Sequence, residues 1–386
     1  MPVVIGMLAQ GMAKGLQCEM DDFFGKLAGS AGFVRQASKS AFSQARRKLK
    51  SSAFGALNTL LLDTWYAHVK LPRWHGFRLV AGDTTMLRLP PLPEVVERFG
   101  CHSEVPMAQV IGLFDVASKV MLHAQLAPAA ARERSMLADC VDHLDDGDLL
   151  LLDRGFPAYW LFAWLAQHRR HFCIRVDGIM MKEMEAAAYG ERANDSIVEL
   201  TVPPNALRTA RANGYAIEQA TTRVRLIRVP LKSGTIEYLA TSLLDADRYP
   251  AHEFAALYHQ RWRIEESFKL LKCRLAMEHF SGELPDCIEQ DFLAKLWLGN
   301  VAATFAWVAS HAADHAKAAI PNLTYAISAL RSVLPRLMLL SNASASLQNL
   351  LHLIACTVEP PRPDRSFPRT RQKVEPRKHR AYKGLR

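Results

Sequence analysis

Leu149-Leu-Leu-Leu-Asp-Arg-Gly-Phe156 reads as a strand buried on both faces, because four successive leucines leave it no polar side and the glycine after the acid closes the run. An aspartate at the tip of such a strand is costly unless a helix N-terminus, a cation or a metal ion meets it. Arg154 is the nearest cation in sequence. Downstream, residues 157–168 read as a helix with proline in the first turn, and residues 172–176 as another strand. Upstream, residues 132–144 read as a helix, and residues 109–116 and 119–126 as a hairpin about Ala117-Ser118. Residues 77–82 are the first strand, a second apolar run that ends at Gly-Asp, here Asp83. Three strands, helix, strand, helix, strand predicts an α/β sheet.

Either aspartate alone is more often a turn or capping residue. A third acid changes the weighing. In Tyr258-His-Gln-Arg-Trp-Arg-Ile-Glu-Glu-Ser-Phe-Lys-Leu-Leu-Lys272, the residues Tyr258, Arg261, Glu265, Phe268 and Lys272 recur at offsets of three and four, so a helix brings them to one face. A core face would be wholly apolar, and a solvated one has little use for Tyr and Phe. The plain alternative is a surface helix laced with ion pairs. Arg154 and Trp262 read as packing or local pairing residues.

The pattern Tyr-x2-Arg-x3-Glu-x6-Lys, with "GDTT" around Asp83 and "LLDRGF" around Asp153, resembles the DDE-class insertion-sequence transposases of the branch named for those four helix residues. The spacing selects Glu265 over Glu266, since the latter would place Cys273 where the pattern has lysine. The resemblance covers roughly residues 30 to 275. It implies a ribonuclease H-like core with a β-rich insertion, flanked by a helical N-terminal domain and a helical C-terminal region, and a core in which Asp83 and Asp153 lie on adjacent strands. It also implies that Asp83, Asp153 and Glu265 are catalytic and hold two metal ions. Three carboxylates without nearby cysteine or histidine select Mg2+ or Mn2+ over zinc. The chemistry is two-metal phosphoryl transfer with ions about 3.5–4 Å apart, in which water cuts the element's end and the freed 3′-hydroxyl attacks target DNA. Tyr258, Arg261 and Lys272 are then expected at phosphates near the transposon end. Two other readings stay open: a metal-dependent nuclease or resolvase on the same fold, and a DNA-binding derivative without chemistry.

At 386 residues, with nearly half of them apolar, the chain is globular and long enough for two or three domains. A net charge of +10 and an isoelectric point near 9.3 suit a polyanionic partner. Much of the excess lies from Arg362 onward, where ten cations face two acids. Seven scattered cysteines without Cys-x2-Cys spacing argue for a reducing compartment and against a disulfide framework. The apolar N-terminus lacks a basic lead and is read as no signal peptide. The apolar residues 293–313 are interrupted by Lys295, Asn300 and His311 and read as a buried helix, so no membrane segment is expected.

The expected organisation is a helical end-binding domain over 1–70, the first part of the core over 71–177, the β-rich insertion over 178–235, the last core strand and Glu-bearing helix over 236–280, a helical region over 281–358 and a basic tail over 359–386. In the first of these, Ser38 or Ser40 can cap a helix carrying Phe42, Ala45 and Leu49 on one face and Arg46, Arg47 and Lys48 at its end. Those cations suit contact with DNA, or simply complement the helix dipole. In the insertion, Arg223, Arg225 and Arg228 could line a DNA-facing surface, while Pro203-Pro204-Asn205 reads as a turn. The expected partners are double-stranded terminal inverted repeats and target DNA, with a dimer in the synaptic complex. The expected location is the bacterial cytoplasm, at the nucleoid.

Overall fold

The computed structural model describes all residues except 13, 178–180, 190–194, 232–233, 313–319 and 360–386. The tail from residue 360 therefore lies outside the described residues. Four helices come first: α1 (Pro2–Ala9), α2 (Leu16–Ala28), α3 (Lys39–Arg46) and α4 (Ser52–His68). Then follow β1 (Arg78–Arg88), α5 (Pro93–Phe99), β2 (Cys101–His102), β3 (Val105–Asp115), β4 (Val120–Pro128), α6 (Glu133–Asp139), β5 (Asp148–Leu152), α7 (Tyr159–Gln167) and β6 (His171–Val176). Next are α8 (Lys182–Tyr189), β7 (Asp195–Thr201), α9 (Pro204–Ala212), β8 (Thr221–Pro230), β9 (Ile236–Thr241), α10 (Phe254–His259) and α11 (Arg263–Cys273). The last elements are α12 (Pro285–Ala312), β10 (Ile320–Pro321), α13 (Leu323–Leu339), α14 (Ser344–Cys356) and β11 (Val358–Glu359). The chain divides into two units, one holding residues 70–86 and 109–268, the other holding residues 1–69, 87–108 and those from 269 onward.

The first of these is an α/β unit. Its strands run in the order β4, β3, β1, β5, β6, β9, β8, β7. The four leucines of β5 are fully buried because neighbours cover both edges and both faces. β1 pairs with it in parallel, Arg78 opposite Asp148 through Ala81 opposite Leu151, and β6 flanks its other edge, also parallel. Leu150 and Leu152 join Leu161, Phe162 and Leu165 of α7 in one apolar cluster. The hairpin turns where expected: the buried Asp115 carboxylate accepts from the Ala117 and Ser118 amides and from the Ser118 hydroxyl.

Residues 195–230 hydrogen-bond onto β9 in antiparallel fashion and so continue the same sheet. Three local readings need correction. Pro203-Pro204-Asn205 opens α9 instead of turning, with Pro204 in the first helical position, where its missing N–H costs nothing. β1 does not stop at Gly82 but runs to Arg88, because Thr84 and Thr85 are β-branched and continue the strand past the acid. Arg225 faces no ligand: it is 1% exposed, its guanidinium doubly bonded to Asp195 and bonded to the Tyr249 carbonyl.

The other unit is helical, with α12 among α1, α4, α13 and α14. By length and composition Pro285–His311 could cross a membrane, but 72% of its most apolar window is buried within the protein. Its polar residues are used internally. Lys295 Nζ donates to the Ala276 and His279 carbonyls, and Asn300 donates to Asn58 at 2.7 Å. Ser38 caps α3 as expected, accepting from the Ala41 amide.

Candidate active site

Gly82 and Gly112 prepare the ground. A Cβ on Gly82 would stand 2.7 Å from Leu152 Cδ2, so only glycine lets β1 lie this close to β5 just before Asp83. A Cβ on Gly112 would stand 3.0 Å from the Phe268 ring, which shows where α11 rests on β3. The stretch from Tyr258 to Lys272 is not one even helix. α10 and α11 are joined by a 3-10 turn over Gln260–Trp262, and Arg261 projects from that turn.

The three expected acids come together. Extending the β1–β5 register by two residues sets Asp83 level with Asp153, which directly follows β5. Asp83 Oδ1 accepts from the Thr84 amide at 2.8 Å, and Asp153 Oδ1 from the Gly155 amide at 2.9 Å. Arg261 bridges to the third acid, with Nη2 2.8 Å from Glu265 Oε1 and Nη1 3.5 Å from Asp83 Oδ2. Burial raises the Asp83 pKa to about 6; the Thr84 amide and Arg261 oppose the rise, and the charges of Asp153 and Glu265 add to it. Glu265 is thus within the field of the two aspartates, while Glu266 is exposed. Arg154 is exposed too, and the Asp153 carboxylate is engaged by the Gly155 amide.

The residues expected at DNA divide. Tyr258, expected at a phosphate, is 7% exposed and its hydroxyl donates to the Leu152 carbonyl at 3.2 Å, so it holds the end of β5 that carries Asp153. Arg261, also expected at a phosphate, is committed to the acids and lies over the Tyr258 ring. Lys272 lies two turns of α11 beyond Glu265, where burial lowers its pKa against the pull of Glu278. Trp262 is 43% exposed. Of the α3 cations, Arg47 and Lys48 are exposed. Arg46 is not a surface cation. It is 2% exposed, with Nε 2.5 Å from Gln290 Oε1, Nη1 on Ser281 and Nη2 on the Cys287 carbonyl and the Asp291 carboxylate. A guanidinium so enclosed cannot reach DNA, and its expected role there is withdrawn.

A fourth carboxylate was missed. Glu133, in the first turn of α6, accepts from the Thr84 hydroxyl and, at 3.3 Å, from Gln109 Nε2. A Cβ on Gly155 would lie 3.1 Å from Asp153 Oδ1 and 3.2 Å from Glu133 Oε2, so the two carboxylates converge on one point. Nothing in Ala-Arg-Glu133-Arg-Ser distinguishes this acid from an ordinary first-turn glutamate.

The donor set suits a hard divalent cation: carboxylate oxygens only, mutually repelling, with one arginine among them. Among the described residues no group of three or more His, Cys, Asp or Glu side chains is placed to hold a metal ion as it stands, and Arg261 lies between Asp83 and Glu265.

The sheet sets Asp83 level with Asp153, and Arg261 links Asp83 to Glu265 of α11. Residues 74–300 match the family described as transposase DDE domain, and the chain belongs to that family. It is a DNA transposase. The chain is 26% identical over 359 residues to transposase InsG for insertion sequence element IS4 of Escherichia coli strain K12, an alignment covering 89% of this chain and 78% of that one. It is 26% identical over 110 residues to the putative transposase InsZ of the same organism, covering 26% and 37%. Among solved structures, a piggyBac transposase synaptic complex with hairpin DNA aligns at a TM-score of 0.41 and 11% identity, over 77% of this chain and 61% of that one. Enzymes of this family generally act with divalent metals.

Proposed function

We propose that this transposase cuts DNA at the ends of an insertion sequence and joins the freed 3′ ends to target DNA, using Asp83, Asp153 and Glu265 as ligands for two Mg2+ or Mn2+ ions on a ribonuclease H-like core. The observation that carries it is that the charges of Asp153 and Glu265 both act on the half-buried Asp83 carboxyl, which burial pushes up to about 6. The order β4, β3, β1, β5, β6, with β1, β5 and β6 parallel, supports that core, and residues 178–235 are its insertion. When bound, the ions supply stabilisation of the attacking and leaving oxygens of an in-line displacement.

The chain's own residues do the rest. Asp83 and Asp153 lie two residues beyond the last β1–β5 pair, Ala81 opposite Leu151, so the parallel register brings them level without a long side chain. Tyr258 ties the last carbonyl of β5 to the Glu-bearing segment, coupling Asp153 to the placement of Glu265. Arg261 keeps the acids together when no other cation is present and is free to turn towards a phosphate when one is. Residues 1–70 bind the terminal repeats with Arg47 and Lys48, Lys272 contacts end DNA, and the tail from 359 adds non-specific attraction. Synapsis of two ends makes the active species a dimer on DNA, in the bacterial cytoplasm at the nucleoid.

The test uses duplexes with pre-cleaved ends and a plasmid. Wild type with Mg2+ should join them; Asp83→Ala, Asp153→Ala and Glu265→Ala should lose joining by on the order of a thousandfold or more, several kcal/mol of barrier. End binding in a gel shift should persist. Glu266→Ala should join normally. Cleavage without joining by wild type would point to a nuclease on the same fold, and joining by Glu265→Ala would overturn the site.

A further inference from the structure

We propose that Glu133 is a supporting residue for the acidic site, a fourth negative charge beside Asp153 that strengthens the hold of the three acids on divalent cations. The inference rests on the reading that those acids bind such ions. Two things make Glu133 more than a helix-end acid. The first is where its oxygens go. Oε1 is pinned by the hydroxyl of Thr84, the residue next to Asp83, and by Gln109 of β3. The carboxylate is therefore oriented from two strands at once. The second is what Oε2 faces. It shares with Asp153 Oδ1 the small space above Gly155, each oxygen just over 3 Å from the point a Cβ would occupy. Gly155 thus leaves open the space that the two oxygens border, and Arg134 Nε donates to the Gly155 carbonyl at 3.0 Å.

A purely structural account does not explain the charge. Both hydrogen bonds to Oε1 could be accepted by the carbonyl of a glutamine, which would also end the repulsion with Asp153. Retaining a carboxylate beside another carboxylate costs stability and returns something only when a cation arrives. Arg132 and Arg134 line the same cavity, of about 290 Å³, with Glu133, Gly155, Trp160 and Tyr215. Among the described residues, none of the ion pairs neutralises Glu133.

The experiment is a calorimetric Mn2+ titration of the full-length protein, with the metal-free Tm measured beside it. Glu133→Gln should weaken Mn2+ binding about tenfold, the order expected for removing one charge several ångströms from a divalent ion in a well-screened site. Its metal-free Tm should be equal to or above that of wild type. Glu133→Asp, which keeps the charge, should recover much of the affinity. Unchanged Mn2+ affinity in Glu133→Gln overturns the proposal, as does a lowered metal-free Tm or failure of that variant to fold. Mn2+ affinity unaffected by Asp153→Ala would instead overturn the metal reading of the acids, and this proposal with it.

Discussion

Among the described residues three buried arginines pair with acids, Arg46, Arg225 and Arg261, and the first and last of these are not alike. Arg46, in the helical unit, has one carboxylate for its one charge and bonds through all three guanidinium nitrogens to Gln290, Ser281, the Cys287 carbonyl and Asp291. Arg261, in the α/β unit, bonds closely to Glu265 and loosely to Asp83, its Nε has no hydrogen-bond partner, and Asp153 adds a third negative charge nearby. The first arrangement is complete and holds a helix pair together. The second is short of positive charge and short of hydrogen bonds, as the proposed function requires of a site that takes up a cation and a phosphate. Hydrogen-bond satisfaction, more than burial, separates Arg46 from Arg261.

The comparison breaks most sharply under substitution to an uncharged chain. Arg46→Met leaves Asp291 buried and unpaired and should cost roughly 3–5 kcal/mol in urea unfolding, at any pH between 6 and 8 and with or without Mn2+. Arg261→Met should cost less, and its loss should be largely restored by Mn2+ or by lowering the pH to 5, since either a metal ion or a proton on Asp83 relieves the repulsion. An Arg46→Met defect cured by Mn2+, or an Arg261→Met defect indifferent to it, would erase the distinction.

Next in size is a pH effect with two opposed parts. His123 stacks on His143 at 3.7 Å, and burial, with the neighbouring imidazole, lowers its pKa to about 4. Unfolded, it binds a proton near the ordinary value of about 6.5, so its contribution is full above that pH and is lost as the pH falls through 4, a change of about 3 kcal/mol. Asp83 has the opposite sign. Its folded pKa lies above the ordinary carboxylate value, so protonation favours the folded chain as the pH falls through about 6. His123→Phe should flatten the acid limb of a stability–pH profile and Asp83→Asn should steepen it; identical profiles for the two variants would contradict both assignments.

The smallest expected effects are at the surface. Arg47→Ala and Lys48→Ala should each reduce the slope of log K against log salt for end DNA by about 0.9. Conservative replacement of the enclosed Arg46 by Lys should leave that slope unchanged where the protein still folds, and a drop there would mean that Arg46 leaves its pocket to bind DNA.

Several readings were available from local pattern. β5 and the Asp153 after it follow from a leucine run no solvated strand would carry, and the hairpin about Ala117-Ser118 from its two alternating flanks. The choice of Glu265 over Glu266 rests on the resemblance, whose pattern puts a lysine seven residues after the acid, where Lys272 stands. Those are properties of residues close in the chain. What only the folded chain decided involves partners far apart in it: that Arg46 is enclosed by residues some 240 positions away, that Tyr258 serves the carbonyl of Leu152, and that Glu133 reaches Thr84 and the space beside Asp153. Exposure and hydrogen-bond completeness belong to a three-dimensional neighbourhood. A lone Arg or Glu in a polar stretch carries the same local signature whether it ends in solvent, in a closed ion pair or at a reacting centre, and only packing tells these fates apart.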